Sequence, residues 1–109
     1  MEWSNKIEIP NTITKIGNYQ FYGFNNVTSI TIPEGITSIG SSAFYGCIRL
    51  TSVYYLGTTT NWSNITKYSY GNSNLTSATI YYYSETKPSD TTKKYWHYDN
   101  NGKIVIWEI

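Results

Sequence analysis

The chain has 109 residues, of which 14% are charged and 17% aromatic, and its formal net charge is +1. This length suits a single domain, and the near-neutral charge excludes nucleic acid and acidic membranes as default partners, because both are recognised through strong basic fields. No apolar run approaches the ~18 residues of a membrane-spanning helix. The one cysteine, Cys47, excludes an internal disulfide framework.

A phrase that recurs after 23 residues organises the first half of the chain. The stretch Ile9–Ser29 matches Ile32–Ser52 in its Ile-Pro and Ile-Gly pairs and in its Phe-Tyr-Gly triplet. Self-similarity with a period of ~20–29 residues is typical of leucine-rich-repeat solenoids, in which each unit buries its apolar face against the next. The sequence therefore predicts a stack of similar units.

In chain order, Met1–Ile9 is interpreted as the tail of a damaged preceding unit, with Trp3 folded over the exposed end. Val27–Pro33 alternates apolar and polar residues and predicts a strand, which the proline closes. Ile36–Gly40 predicts a second extended piece on the opposite wall. Ser41–Gly46 has room for only one helical or 3₁₀ turn.

Aromatic side chains are predicted to fill the interior of the stack. Phe21 and Phe44 occupy equivalent positions and are expected to stack in register inside the coil. Cys47 falls opposite Phe24 at a position that requires a small apolar group, so we expect a buried core thiol rather than a reactive one.

The third unit is altered. A strand pattern returns at Asn74–Ile80, with Leu75 standing 25 residues after Leu50 rather than 23. The extra residues are predicted to form a loop at Tyr68–Gly71, and Trp62 is predicted to take over the core volume of the missing phenylalanine.

The end of the chain alternates apolar and polar residues on both sides of Asn101-Gly102, the strongest short signal for a hairpin with a type I′ turn. We interpret residues 1–83 as the solenoid and residues 84–109 as a capping hairpin, in one structural domain. The predicted fold is mainly β within the α/β solenoid family. It is a leucine-rich-repeat solenoid of about three units, with parallel strands, single short helical or 3₁₀ turns and a C-terminal β-hairpin cap.

The residues that could carry chemistry do not form a catalytic, cofactor or metal site. His97 is the only histidine, so two-histidine metal sites are excluded within one chain, and no nucleophile accompanies the His97/Asp99 pair. Asp99–Gly102 begins like a calcium loop, but the acidic ligand at the twelfth position would fall beyond the last residue. The prediction is a protein that is not an enzyme and holds no cofactor.

The predicted binding surface is the sheet face on which small hydroxyl residues alternate with the core positions. Tyr54, Tyr81 and Tyr83 interrupt this pattern, and tyrosines are typical contact anchors. Threonine ladders are also ordinary β surface, so a purely structural role is the alternative. The columns place Thr76 beside Thr51, Ser77 beside Ser52 and Thr79 beside Tyr54. The predicted partner-binding residues are Thr28, Ser29, Thr31, Thr51, Ser52, Tyr54, Thr76, Ser77, Thr79, Tyr81 and Tyr83.

The repeated phrase, with Gly57–Ile65, Ala78–Pro88 and Tyr95–Gly102, resembles the BspA-like (Treponema-type) leucine-rich repeats of bacterial surface proteins. The resemblance covers nearly the whole chain. It implies a non-enzymatic adhesive or protein-binding scaffold, usually displayed outside the cell, and supplies no catalytic residues.

Three functional alternatives follow. The first is the C-terminal part of a bacterial surface adhesin, on the cell surface or secreted, with a protein partner. If Met1 is the true start, the second is a small cytoplasmic protein inhibitor from a mobile element. The third rests on Trp96–Trp107, which is similar to choline- or glucan-binding cell-wall modules and implies a glycan ligand.

Overall fold

The computed structural model describes residues 5–108. The predicted position of Trp3 over the end of the stack lies outside these residues. The strands and helices are short, as expected for a chain that turns back at every unit. They are β1 Lys6–Glu8, β2 Lys15–Ile16, β3 Ser29–Ile32, β4 Ser38–Ile39, β5 Ser52–Tyr55, α1 Thr59–Asn64, β6 Thr66–Lys67, α2 Ser73–Thr76, β7 Thr79–Tyr83, β8 Lys94–Tyr98 and β9 Ile104–Ile106.

The strands form two walls. A six-stranded sheet has the order β1-β3-β5-β7-β8-β9, and a three-stranded sheet has the order β2-β4-β6. Neighbouring strands run parallel, except that β9 is antiparallel to β8. This arrangement confirms the predicted mainly-β leucine-rich-repeat solenoid with short helical segments and a terminal hairpin.

The register of the first three rungs follows the 23-residue repeat. Ser29 pairs with Lys6 on one side and with Ser52 on the other. On the second wall, Lys15 pairs with Ser38. Equivalent residues therefore lie side by side, and the column Ile7, Ile30 and Val53 stays aliphatic through the first three rungs.

The core lies between the two walls. Ile30, Ile32 and Ile39 are buried there, and Phe21 stacks on Phe44 with ring centroids 5.5 Å apart, as predicted. The turns that carry these phenylalanines are closed by single hydrogen bonds such as Tyr45 N–H to the Ser42 carbonyl at 3.2 Å.

Cys47 is a core thiol, as predicted. Its side chain is buried, its Sγ donates to the Phe21 carbonyl at 3.2 Å, and burial raises the pKa of the thiol. Phe24 is instead 46% exposed and packs edge-on against Phe21 at 5.8 Å.

The third unit departs from the prediction in three places. The extra residues form helix α1 between β5 and β6, whereas residues 68–71 do lie in a loop, as predicted, without holding the insertion. Thr58 caps this helix, because its hydroxyl accepts from the Asn61 backbone N–H at 3.1 Å while the Asn61 side chain accepts from the Thr58 N–H at 3.1 Å. This capping box explains why the inserted residues are helical.

The predicted strand register of the third unit was also wrong, by two residues. Ser52 pairs with Thr79 and not with Ser77. Thr76 belongs to helix α2, and Ser77 closes it by donating its backbone N–H to the Ser73 carbonyl at 2.9 Å.

Trp62 does not replace the missing phenylalanine. It lies on α1, half-buried, with its ring edge-on to Tyr55 at 5.0 Å and with Lys67 Nζ 5.0 Å from the ring centroid. Next to Phe44 the structure places Asn72, which is only 2% exposed. In the third unit a buried polar side chain therefore lies beside the Phe44 backbone.

The turn of the terminal hairpin is longer than predicted. Only glycine has a positive φ in its turn, where Gly102 has φ 76° and donates to the Asp99 carbonyl at 3.0 Å. A type I′ turn needs positive φ at both central residues, so the predicted turn type was wrong. Asp99 Oδ1 accepts from the backbone N–H groups of Asn101 and Lys103, at 2.8 and 2.9 Å, and holds the longer connection.

Candidate partner-binding face

The outer face of the six-stranded sheet, the one opposite the core, carries most of the predicted binding residues. Val53 and Tyr55 point into the core, so alternation places Ser52 and Tyr54 on the outer face. One row across the strands contains Ser29, Ser52 and Thr79, and the next contains Thr31, Tyr54 and Tyr81, with Tyr83 further along β7.

Four of the predicted residues lie outside the strands of the outer face. Thr76 and Ser77 lie in and after α2, outside the paired strands, so their predicted place in the columns was wrong. Thr28 and Thr51 precede the strands, and Thr51 Oγ1 donates to the Thr28 carbonyl at 3.2 Å. Thr28 Oγ1 donates in the same way to the Asn5 carbonyl at 3.3 Å. Both hydroxyls therefore join adjacent units.

Thr31 was predicted to face solvent but is only 6% exposed. It lies between Glu8 on β1 and Tyr54 on β5 in the strand register. The outer face is thus less accessible at Thr31 than at Ser29 or Ser52, which are half-buried.

Five aromatic residues form a second cluster on the outer face, apart from the core. We call this set the aromatic cluster. Tyr54 stacks on Tyr81 with ring centroids 5.1 Å apart, because the two residues are paired in the register of β5 and β7. The members of the aromatic cluster are Tyr54, Tyr81, Tyr83, Trp96 and Tyr98.

Trp96 lies at the centre of the aromatic cluster and is 0% exposed. Its ring is edge-on to Tyr54 at 5.6 Å, to Tyr83 at 5.2 Å and to Tyr98 at 4.8 Å. Its indole Nε1–H donates to the Tyr55 carbonyl at 2.9 Å. The tyrosines are therefore not free-standing anchors, as the sequence suggested. Tyr54 and Tyr83 are half-buried, Tyr98 is 37% exposed, and all three pack around the fixed ring of Trp96.

The ring contacts show that the sheet curves around its outer face. Tyr54 on β5 and Trp96 on β8 are two strands apart, which in a flat sheet would be about 9.5 Å, yet their ring centroids are 5.6 Å apart. Burial raises the pKa of Tyr98, and the charge of Glu8 raises it further.

Sequence reasoning did not place Trp96 and Tyr98 on the outer face, because it treated their strand as a cap or as part of a cell-wall-binding module. In the structure β8 runs parallel to β7, and Tyr83 pairs with Trp96. The spacing of Trp96 and Tyr98 was a usable signal, since alternate residues of a strand share a face.

The aromatic tail does not form an open cage. Trp107 Nε1–H donates to the Ser84 carbonyl at 2.7 Å, and its ring stacks on His97 at 3.9 Å. Together with the burial of Trp96, this engages both tail tryptophans in packing, so a sugar or a quaternary ammonium would have to displace them.

His97 and Asp99 do not act as a pair. His97 Nδ1 lies 3.1 Å from the Tyr98 carbonyl, whereas Asp99 is held by the turn. Backbone hydrogen bonds from Lys103 and Asn101 lower the pKa of Asp99. Within residues 5–108, no three histidine, cysteine, aspartate or glutamate side chains come together as a metal site would require.

Comparison with known proteins identifies the repeats. The family model of the BspA type leucine rich repeat region matches residues 3–93, in six copies. The chain belongs to the BspA-type leucine-rich repeat family. No curated protein and no solved structure matches it.

Membership in the BspA-type family places the chain among repeat scaffolds, which generally mediate protein interactions and are generally not enzymes. The BspA-type repeats occupy the rungs that build the outer face from β1 to β7. Among the described residues, no helix is both long enough and apolar enough to cross a membrane.

Proposed function

We propose that this BspA-type chain binds a protein partner through the outer face, with Ser29, Ser52 and Thr79 as a recessed row and Tyr54 and Tyr81 beside it. The observation that carries this proposal is the aromatic cluster, which lies outside the core and is built from residues of three strands. Because Trp96 is buried outside the core cluster, its packing fixes the shape of the outer face as well as contributing to the fold.

The physical argument concerns rigidity. Tyr54 and Tyr81 are half-buried and stacked, so little side-chain entropy remains to be lost when a partner covers their exposed parts. The neighbouring serines and threonine are small and leave room for side chains of the partner. Tyrosine is enriched among the hot spots of protein interfaces, which are surrounded by contacts of little energy that exclude water.

We further propose that the chain works as part of a bacterial surface adhesin, on the cell surface or secreted. The support is the family, whose resemblance implies display outside the cell. The alternative is a cytoplasmic inhibitor. Labelling of intact producing cells with an antibody against the chain distinguishes the two, since only a surface-displayed chain is labelled without permeabilising the cells.

Binding is tested by introducing large, positively charged side chains on the outer face. The double variant Ser29→Arg with Ser52→Arg fills the recessed row without altering the aromatic cluster. The immobilised parent chain is used to capture partners, which are identified by mass spectrometry, and the variant is compared at equal loading. We expect it to lose the captured protein, because two bulky cations block an interface centre.

The matched control is Thr37→Arg with Thr66→Arg, which places the same groups on the opposite wall, where both residues are exposed. The control should capture as the parent does. Capture that survives on the outer-face variant but is lost on the control would contradict the proposed face.

A further inference from the structure

Two exposed tyrosines lie against each other on consecutive repeats, on the turns between the walls. The ring centroids of Tyr22 and Tyr45 are 5.4 Å apart, and the ring planes are only 10° from parallel. Tyr22 is 54% exposed and Tyr45 is 51% exposed, so both phenols are open to reagents in solvent.

The backbone holds this pair in register. Gly23 N–H donates to the Tyr45 carbonyl at 2.7 Å, and Phe21 N–H donates to the Ala43 carbonyl at 2.8 Å. These two bonds lie on either side of Tyr22 and join its unit to the next one. The two rings therefore stay together for as long as the units remain stacked.

We propose that Tyr22 and Tyr45 form a site of oxidative cross-linking, at which a haem peroxidase with hydrogen peroxide joins the two rings as dityrosine. Each phenol gives one electron and one proton to the oxidant and becomes a phenoxyl radical. The radicals form a carbon–carbon bond between ring positions next to the oxygens, and the displaced ring hydrogens move to the oxygens. Overall, one hydrogen peroxide is reduced to two waters, and the chain loses two hydrogen atoms.

Proximity favours this pair over coupling between separate molecules. Two groups held in contact react as if each faced the other at very high concentration, with effective molarities of ~10⁵ M or more in well-aligned cases. Tyr68 and Tyr70 are also exposed, but neither has a ring partner among the described residues.

The other stacked pair, Tyr54 with Tyr81, is the internal competitor. Its rings are as close, at 5.1 Å, but both residues are half-buried around Trp96. Reduced access to the oxidant predicts that this pair reacts more slowly than Tyr22 with Tyr45. The cross-link would join two consecutive units covalently, as a disulfide does, and would limit the freedom of the unfolded chain between them.

The experiment treats the purified chain with peroxidase and hydrogen peroxide and digests it after lysine, arginine and glutamate. Glu34 separates the two tyrosines, whereas Lys15 and Arg49 bound the region, so the product is a joined pair of peptides, 16–34 with 35–49. We expect this pair to lack two hydrogen atoms, to show dityrosine fluorescence and to form in a yield independent of chain concentration. The cross-linked monomer should also melt at a higher temperature.

Tyr22→Phe and Tyr45→Phe should each lower the yield of the joined pair at least about tenfold, because phenylalanine forms no phenoxyl radical and Tyr19, which lies edge-on to Tyr22 at 5.8 Å, is not stacked on Tyr45. Tyr68→Phe and Tyr70→Phe are the matched controls and should leave the yield unchanged. An unchanged yield in Tyr22→Phe would overturn the proposal. So would a product found only between separate molecules or only between Tyr54 and Tyr81.

Discussion

Asn72 shows how the repeat accommodates a buried polar side chain. It lies beside Phe44 where the pattern would have an apolar group, and all of its side-chain bonds go to backbone. Its Oδ1 accepts from the Phe44 N–H at 3.0 Å, and its Nδ2 donates to the Gly40 carbonyl at 2.8 Å and to the Tyr68 carbonyl at 2.6 Å. A buried polar group is tolerated when every bond is made.

We expect Asn72→Ala to lower the free energy of unfolding by about 3 kcal/mol, because it leaves the Phe44 N–H and the Gly40 carbonyl buried without their partner. Asn74→Ala is the control, since Asn74 is half-buried and makes one long bond, 3.3 Å to the Phe44 carbonyl. It should cost less than about 1 kcal/mol. Urea unfolding measures both, and equal losses would contradict the structural role of Asn72.

Protonation of the Asp90 carboxylate in acid should weaken the connection between β7 and β8. Hydrogen bonds from the Thr92 hydroxyl at 2.6 Å, the Tyr95 hydroxyl at 2.7 Å and the Thr92 N–H at 2.8 Å lower its pKa to about 2. Since the folded pKa lies below the ordinary 3.8, the carboxylate stabilises the fold above 3.8, and this contribution is lost as the pH falls towards 2.

The amide resonance of Thr92 should therefore titrate with a midpoint near 2, well below 3.8. In Asp90→Asn this titration should vanish, because no carboxylate remains to be protonated. NMR spectra recorded across the acid range provide the measurement. A midpoint at the ordinary value in the parent would mean that the three hydrogen bonds do not persist in solution.

Among the elements, the stacked turns determine how the units hold together. Phe44 is buried against Phe21 and follows the second wall, so each turn supplies one ring to a continuous column. The column ends at Asn72, which bonds to the Phe44 backbone instead of extending the aromatic stack.

Phe44→Ala should destabilise the chain by about 3–5 kcal/mol, because a large cavity opens in the core. This loss approaches the whole stability of a small domain, so cooperative thermal unfolding should weaken or disappear. Phe24→Ala, at a 46% exposed position on an equivalent turn, should lower the melting temperature far less. If the two variants melt alike, the column is not what holds the units together.

The register of the first three rungs could be predicted because the repeat is nearly exact there, and Ile7, Ile30 and Val53 do lie side by side. The third unit could not be aligned in the same way. A slip of two residues keeps the same side chains on the same face, so alternation cannot detect it. In the structure Ser73–Thr76 form helix α2 and the strand begins only at Thr79, which sets the observed register.

The aromatic cluster could be predicted only in part. Tyr54 and Tyr81 were visible as large residues in a row of small ones, but Trp96 joins them only because β8 pairs with β7 in parallel. That pairing crosses a long connection, and no local pattern specifies it. Contacts between distant segments are the ones that a single sequence determines least.

At the scale of the hairpin, the hydrogen bond of Trp96 to the Tyr55 carbonyl links β8 across β7 to β5. Trp96→Phe keeps a ring but removes the donor, so a buried carbonyl loses its partner, at a cost of about 1–3 kcal/mol. Trp107→Phe loses a similar bond in a half-buried position and should cost less. Thermal denaturation of the two variants compares them, and a larger loss for Trp107→Phe would contradict this order.

At the scale of the whole molecule, β8 is a rung of the same sheet as the repeats rather than an appendage. Tyr81, Tyr82 and Tyr83 pair with Lys94, Tyr95 and Trp96, and Ser84 N–H donates to the Trp96 carbonyl at 3.0 Å. Only β9, which is antiparallel, differs in direction. The outer face and its aromatic cluster exist only if this continuous sheet forms.

Native-state hydrogen exchange tests this claim most directly. The N–H of Ser84 bonds between β7 and β8, that of Trp107 bonds to the Tyr95 carbonyl, and that of Thr51 bonds to the Thr28 carbonyl between two repeats. We predict that low concentrations of urea lower the protection of the Ser84 and Thr51 amides in parallel, with the same opening free energy, because one cooperative unit contains both. Fast exchange at Ser84 and Trp107 while Thr51 stays protected would show that the hairpin opens alone, and would contradict the account.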